Sequence, residues 1–367
     1  MRHKTTATMA ASLVLTMLAT APLHAQAPVD DPDGTYHALP LRAVGRVTAD
    51  GRSQWPGVYY EGTFSGFEVD FTVNDPRHGY NIYVDGQRLQ HYASPPEVIR
   101  VRAMEDNKHV IRLERTGETM DLPVGPVTAR VRMDDGGSYY APPKPPARQI
   151  EVIGDSYAAG YGTTSTKRLC SVDEIRTTTD TQQAFGPLLA KHYDADYQIN
   201  AVSGIGMVRN YDDASGDVMP ALYPYTLFDK QEAYRDPSWN PQIVVIALGD
   251  NDFATPVKTG GKWADDDALT ADFISTYVKF VEDARKAHPR ATFILMDYGE
   301  PALIPAIARI AERLRADGET RILTWSAGTG LEQTGCDWHL SLNDHRRISD
   351  GLIRFIDRQA DIWQASH

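Results

Sequence analysis

The tetrapeptide Ile153-Gly154-Asp155-Ser156 closes the apolar run Ile150-Glu151-Val152-Ile153 and opens onto the small residues Ala158, Ala159 and Gly160. Such a run reads as a buried parallel strand. A strand-to-helix turn after it lifts a serine hydroxyl off the sheet edge, where backbone N–H groups favour developing negative charge. That setting suits a hydrolase nucleophile. Gly-Asp-Ser alone arises by chance in roughly one chain in ten of this length, so its companions decide. Two follow in order: Gly249-Asp250-Asn251-Asp252 after the run Ile243-Val244-Val245-Ile246-Ala247-Leu248, and Asp337-Trp338-His339 near the C-terminus.

With Ser156 as nucleophile, the chemistry needs a base within hydrogen-bond reach and preorganised donors for an oxyanion. His339 is the preferred base, and Asp337 two positions earlier is expected to hold its Nδ1–H and fix the tautomer. His345 is the rival base, although Asp344-His345 also reads as a helix start. Asn251 offers a neutral amide donor to the oxyanion, and the turn Ser203-Gly204-Ile205-Gly206 offers the Gly204 N–H, since glycine lets backbone approach a ligand closely. Trp338, Tyr157 and Tyr211 lie near these residues in sequence, either as platforms for a sugar face or as core packing.

The elements that must carry these groups fall into two kinds. Over residues 36–140, short β-rich runs such as Phe67-Glu68-Val69-Asp70-Phe71 and Tyr80-Asn81-Ile82-Tyr83-Val84 alternate with turns, and Asp85-Gly86 is a strong hairpin signal. This half is expected to be a β-sandwich of jelly-roll type. Ala141-Pro142-Pro143-Lys144-Pro145-Pro146 then reads as a stiff spacer, over about 141–148. From 149 to 367, apolar strands alternate with amphipathic helices. Phe273, Tyr277, Phe280, Val281 and Ala284 share one helix face, and Ile307, Ile310, Ala311 and Leu314 another. This is α/β text, in which helices cover a parallel sheet and ligands sit at the carboxyl ends of its strands.

Residues 1–25 combine Arg2, His3 and Lys4 with an apolar stretch from Met9 to Ala21, too short to span a membrane, and read as a secretory signal cleaved after Ala25. The product is expected to be secreted or periplasmic. Without Arg2 and Lys4, 35 basic residues face 49 acidic ones, about fourteen net negative charges, which disfavours a nucleic-acid or anionic-membrane partner. Cys170 and Cys336 are the only cysteines, and in an oxidising compartment they are expected to form a bridge between the loops that follow Ser156 and precede His339. No His-Glu-x-x-His or Cys/His cluster suggests a metal, and no cofactor is expected. Gly154-Asp155-Ser156-Tyr157-Ala158 lacks the last glycine of Gly-x-Ser-x-Gly, against an ordinary α/β-hydrolase lipase.

Gly154-Asp155-Ser156, then Gly204, then Gly249-Asp250-Asn251-Asp252, then Asp337-Trp338-His339 resembles the ordered blocks of the SGNH (GDSL) hydrolase superfamily. Gly335-Cys336-Asp337-Trp338-His339 behind a β-sandwich is similar to carbohydrate esterase family 2. The resemblance implies a flavodoxin-like hydrolase domain and deacetylation of O-acetylated cell-wall polysaccharide. It assigns Ser156 as nucleophile, His339 as base, and Ser156 N–H, Gly204 N–H and Asn251 as the oxyanion hole. The superfamily more often carries its acid three residues before the histidine, where this chain has Cys336, and family 2 orients the base with either a side-chain acid or a backbone carbonyl. An exported lipid or thioester acyl hydrolase with the same site, and a non-catalytic carbohydrate-binding protein, are the alternative readings.

Overall fold

The computed structural model describes residues 35–102, 107–120, 122–133 and 137–363. The expected secretory segment, residues 1–25, lies outside the described residues.

Among the described residues the first half holds ten strands: β1 (Tyr36–Ala38), β2 (Arg42–Val44), β3 (Tyr59–Ser65), β4 (Glu68–Val73), β5 (Tyr80–Val84), β6 (Gln87–Tyr92), β7 (Val98–Arg102), β8 (Lys108–Arg115), β9 (Val127–Arg132) and β10 (Ser138–Tyr140). They form a four-stranded sheet in the order β1-β9-β4-β7 and a second in the order β10-β3-β8-β5-β6, with β2 also on β3. Every pairing is antiparallel. Phe71, Ile99 and Val131 from one sheet and Phe64, Ile82 and Leu113 from the other fill the layer between them, as alternation along each strand requires. Asp85 (φ 50°) and Gly86 (φ 78°) form the two-residue β5–β6 turn that the Asp-Gly pair predicts.

The second half is an α/β layer. Strands β11 (Arg148–Gly154), β12 (Ala195–Ala201), β13 (Ile243–Ala247), β14 (Thr292–Asp297) and β15 (Ile322–Ser326) pair in parallel in the order β12-β11-β13-β14-β15. Helices α1 (Ser156–Ala159), α2 (Val172–Thr178), α3 (Phe185–His192), α4 (Met219–Leu222), α5 (Asp250–Phe253), α6 (Asp266–Ala287), α7 (Leu303–Ala316) and α8 (Leu342–Ile356) connect and cover them. This is the flavodoxin-like order, with its topological switch at β11, the strand that delivers Ser156. The apolar faces predicted for α6 and α7 are buried. Helix α8 starts two residues before the predicted Asp344: Ser341 is its cap, and Asp344 closes a capping box. Among the described residues no helix is long and apolar enough to cross a membrane.

The proline segment was expected to act as a spacer, yet the halves are packed against each other. Val44 and Tyr59 belong to the same apolar cluster as Val152, Tyr197 and Ile199. Asp196, almost fully buried, accepts the Tyr59 hydroxyl at 2.5 Å and the Arg42 guanidinium at 2.5 and 3.1 Å. Arg112 lies 3.6 Å from the Tyr59 ring centre and donates to the Tyr197 hydroxyl at 2.8 Å. Buried charge of this kind tolerates no unpaired partner. Replacing Asp196 by alanine leaves the Tyr59 hydroxyl without its acceptor and Arg42 with Glu61 alone, and should lower unfolding stability by about 2 kcal/mol, read as a shift in the midpoint of urea denaturation. A loss below about 1 kcal/mol would match a solvated surface pair instead.

Candidate active site

Ser156 follows β11 through a turn that only small residues permit: a Cβ on Gly154 would lie 2.6 Å from the Ala158 Cβ. Asp155 caps the turn, its Oδ1 accepting the Tyr157 N–H at 3.0 Å. Ser156 is buried except for a small aperture, and its Oγ lies 2.9 Å from His339 Nε2. Nδ1 of the same imidazole lies 2.9 Å from the backbone carbonyl of Cys336. A carbonyl only accepts, so Nδ1 carries the proton and Nε2 is left as the acceptor for the serine hydroxyl. That is the tautomer a general base requires.

The expectation that the Asp337 carboxylate orients His339 is therefore corrected. Asp337 and Trp338 both adopt left-handed backbone conformations, φ 51° and 60°. This pair of turns swings the Asp337 side chain outward, where its Oδ2 accepts the Tyr161 hydroxyl at 2.9 Å, and brings the Cys336 carbonyl under the ring. The rival His345 takes no part: it is buried, its Nδ1 accepts the Phe185 N–H at 3.2 Å, and burial pushes it down to about 3.

Two segments are stitched together around Cys336. A disulfide joins it to Cys170, its N–H donates to the Gly162 carbonyl at 3.3 Å, and the next N–H, of Asp337, donates to the Arg168 carbonyl at 2.6 Å. Gly162 has φ 56°, and a Cβ there would fall 2.4 Å from that of Cys336, so the approach of the two loops depends on glycine. Tyr161, which sequence reasoning missed, packs its ring 4.2 Å from the His339 ring centre. Its place between Gly160 and Gly162 in the serine block was the available signal.

Gly204 sits in a turn closed by the Ile205 N–H on the Val202 carbonyl, with φ 78° and open space where a Cβ would be. Asn251 follows β13 at the switch point, but its amide is not free as expected. Nδ2 donates to the Ile205 carbonyl at 2.8 Å and to Asp155 Oδ2 at 3.2 Å, so both hydrogens are engaged at rest. Asp252, next in sequence, accepts the N–H groups of Met207, Val208 and Arg209 at 2.8–2.9 Å and thereby anchors the loop after Gly204.

Behind the serine lies a poorly solvated acidic group. Burial, then the nearby Asp250 and Asp252, hold Asp155 well above the usual carboxyl range; burial, then Glu300 and Asp297, push Asp250 up to about 7. Asp155, Asp250 and Asp252 thus lie where burial disfavours their charged forms. Among the described residues no three His, Cys, Asp or Glu side chains gather to hold a metal ion. Of the three expected sugar platforms, Trp338 and Tyr211 are more than half exposed. Tyr157 instead packs edge-on between Tyr298 and His339, its hydroxyl accepting from Gln333, which commits it to holding the base.

Two outcomes follow from the carbonyl pairing. Asp337→Ala should lower kcat less than about tenfold, whereas neutralising the orienting carboxylate of a serine triad costs roughly ten-thousandfold. Burial lowers the His339 pKa from its ordinary value, with the carbonyls of Cys336 and Asp337 opposing. The active, neutral base therefore persists further into acid, and the acid limb of kcat/KM for the free enzyme should have its midpoint below pH 6.5, the unperturbed histidine value. A midpoint at or above that value would mean that a carboxylate faces the ring.

Comparison with known proteins bears on the whole chain. The family model described as GDSL-like lipase/acylhydrolase matches residues 152–351, and that described as the carbohydrate esterase 2 N-terminal region matches residues 43–143. The chain is 37% identical over 340 residues to an acetylxylan esterase / glucomannan deacetylase of Cellvibrio japonicus (strain Ueda107), a match covering 89% of this chain and 92% of that protein. A solved carbohydrate esterase, described as having divergent catalytic and non-catalytic binding functions at its active site, superposes with a TM-score of 0.79 at 35% identity, over 89% of this chain and 99% of that one. A family two carbohydrate esterase from Clostridium thermocellum, solved in complex with cellohexaose, shares the fold with a TM-score of 0.74 at 24% identity, over 86% of this chain and 98% of that one.

Proposed function

The chain belongs to the GDSL-like lipase/acylhydrolase family, as a carbohydrate esterase of family 2, and from that premise we propose that it is an exported enzyme removing O-acetyl groups from cell-wall polysaccharide of the acetylxylan or glucomannan type. The observation that carries the reading is the relay Ser156 Oγ to His339 Nε2 at 2.9 Å, continued from Nδ1 to the Cys336 carbonyl at 2.9 Å.

His339 takes the Ser156 proton as Oγ adds to the acetyl carbonyl. The tetrahedral oxyanion accepts from the N–H groups of Ser156 and Gly204 and from the Asn251 amide, which gives up its longer bond to Asp155 for the stronger charge-assisted one. Collapse expels the sugar hydroxyl, which leaves with the His339 proton, and an acetyl-Ser156 ester remains. Water then adds to that ester, giving a proton to His339; acetate departs and Ser156 recovers its hydrogen.

Trp338 and Tyr211 are the proposed platforms for sugar rings, because an exposed aromatic face suits the apolar face of a pyranose. The name of the Cellvibrio relative supports acetylxylan and glucomannan as substrates, and the cellohexaose complex of the Clostridium neighbour supports a β-linked glycan in the groove. Export rests on residues 1–25 and on the Cys170–Cys336 bridge, which an oxidising compartment maintains. The proposed division is a sandwich over 36–140, a connection over 141–148 and the hydrolase over 149–367. One observation favours a second reading, glycan binding without turnover: the neighbour with both catalytic and non-catalytic binding at one site.

Acetate release from acetylated xylan and glucomannan separates these readings. Ser156→Ala should lower kcat by about ten-thousandfold or more, and Asn251→Ala by about a hundredfold to a thousandfold. Wild type with no more turnover than Ser156→Ala would favour pure binding. Faster hydrolysis of long-chain p-nitrophenyl esters than of the acetate would favour a lipid acyl hydrolase.

A further inference from the structure

The segment after β8 leaves the sandwich and reaches the hydrolase half at the turn that carries Gly204. There the Glu118 carboxylate accepts the Ser203 N–H at Oε1 and the Ser203 hydroxyl at Oε2, both at 2.5 Å. Ser203 is the second residue of the turn from Val202 to Ile205, and Gly204, at the third, has the positive φ of 78° that a type II turn requires. Such a turn has a nearby alternative in which its central peptide is flipped. In this turn that peptide joins Ser203 to Gly204, so its orientation decides where the Gly204 N–H points.

The turn is held from two sides. Downstream, the Gly204 carbonyl accepts the Tyr211 N–H at 2.9 Å, and Asp252 anchors the residues that follow. Upstream, Glu118 grips Ser203 by its backbone N–H and its hydroxyl together, which fixes the residue about whose Cα–C bond that peptide turns. The carboxyl does this at a cost. Desolvation pushes it up to about 7, the two Ser203 donors pull it back, and no cationic side chain contributes.

We propose that Glu118 is a positioning residue for the oxyanion turn, by which the β-sandwich takes part in catalysis through Ser203 and without touching substrate. The proposal rests on the reading of Gly204 as an oxyanion donor. A donor that acts on the developing oxyanion affects kcat far more than KM.

The test compares Glu118→Ala, Glu118→Gln, Ser203→Ala and Asn251→Ala in the full chain, with kcat and KM for p-nitrophenyl acetate and thermal unfolding for each. Glu118→Ala should lower kcat at least about tenfold, short of the hundredfold or more of a deleted donor, with KM within about twofold. Glu118→Gln keeps an acceptor for the Ser203 N–H and a donor for its hydroxyl, and should recover most of that loss. Ser203→Ala removes one of the two bonds and should cost a few-fold in kcat, which keeps the idea testable if Glu118→Ala fails to fold. Wild-type kcat in Glu118→Ala, a loss confined to KM, or a glutamine variant as slow as alanine would overturn the proposal. Asn251→Ala separates the failures: if it is slow while Glu118→Ala is not, only the role of Glu118 falls; if it is fully active, the oxyanion reading falls and this proposal with it.

Discussion

One hydrogen bond sets the terms for the rest of the site: the His339 Nδ1–H on the Cys336 carbonyl. It selects the tautomer that leaves Nε2 for Ser156, a residue 183 positions away in the chain. A carbonyl dipole orients an imidazole as well as a carboxylate does, but stabilises an imidazolium less, because it brings no full charge. The carbonyl therefore raises the imidazole pKa only modestly, and burial outweighs it, so the neutral resting base is favoured. Since the carbonyl is part of the backbone, its position depends on the path of the chain at Cys336 and cannot be set by a rotamer. This accounts for the density of fixings there: a disulfide, a hydrogen bond to Gly162 and a second backbone bond one residue on.

The oxyanion side follows a different logic. The proposed donors lie on turns after β11, β12 and β13, three adjacent strands, so the parallel sheet already brings the turns together. What the sheet leaves undetermined is the direction of individual N–H groups. Buried or half-buried carboxyls supply that. Asp155 receives the Tyr157 N–H and the Asn251 amide, Asp252 gathers three successive N–H groups, and Glu118 holds Ser203. Each is an acceptor in a poorly solvated place, and burial raises the pKa of all three.

Much of this was legible because it is local. Strand runs, the Asp-Gly hairpin, the buried faces of α6 and α7, and the order of the serine, glycine, asparagine and histidine blocks are patterns within a few residues. What was not legible shares a cause: adjacency in sequence does not fix direction. Asp337 is two residues from His339, yet two left-handed residues turn its carboxylate toward Tyr161. Asn251 follows its strand as expected, but its partners Asp155 and Ile205 come from 96 and 46 residues away. Glu118 carries no motif, and its contact with Ser203 spans 85 residues and two sheets. The proline run reads as a stiff spacer at a domain boundary, and its composition says nothing of what its two ends pack against.

That packing explains why the halves form one unit. Glu151, on β11 and wholly buried, is surrounded by Asn200, Tyr223, Trp239 and His288 from the hydrolase half and by Arg46 from the sandwich, at 2.6–3.5 Å. Burial alone would raise its pKa, but His288, Arg46 and Trp239 hold it down at about 2. Together with Asp196, Arg42 and Tyr59, this puts buried polar groups at the junction that lose a partner when either half stands alone. Buried pairs of this sort add little net stability over apolar packing, but exact a large penalty when one member is missing. They therefore specify one mutual arrangement of sheet and sandwich. The contact between Glu118 and Ser203 spans the same junction, and the charged groups around Asp196 and Glu151 hold its two sides together.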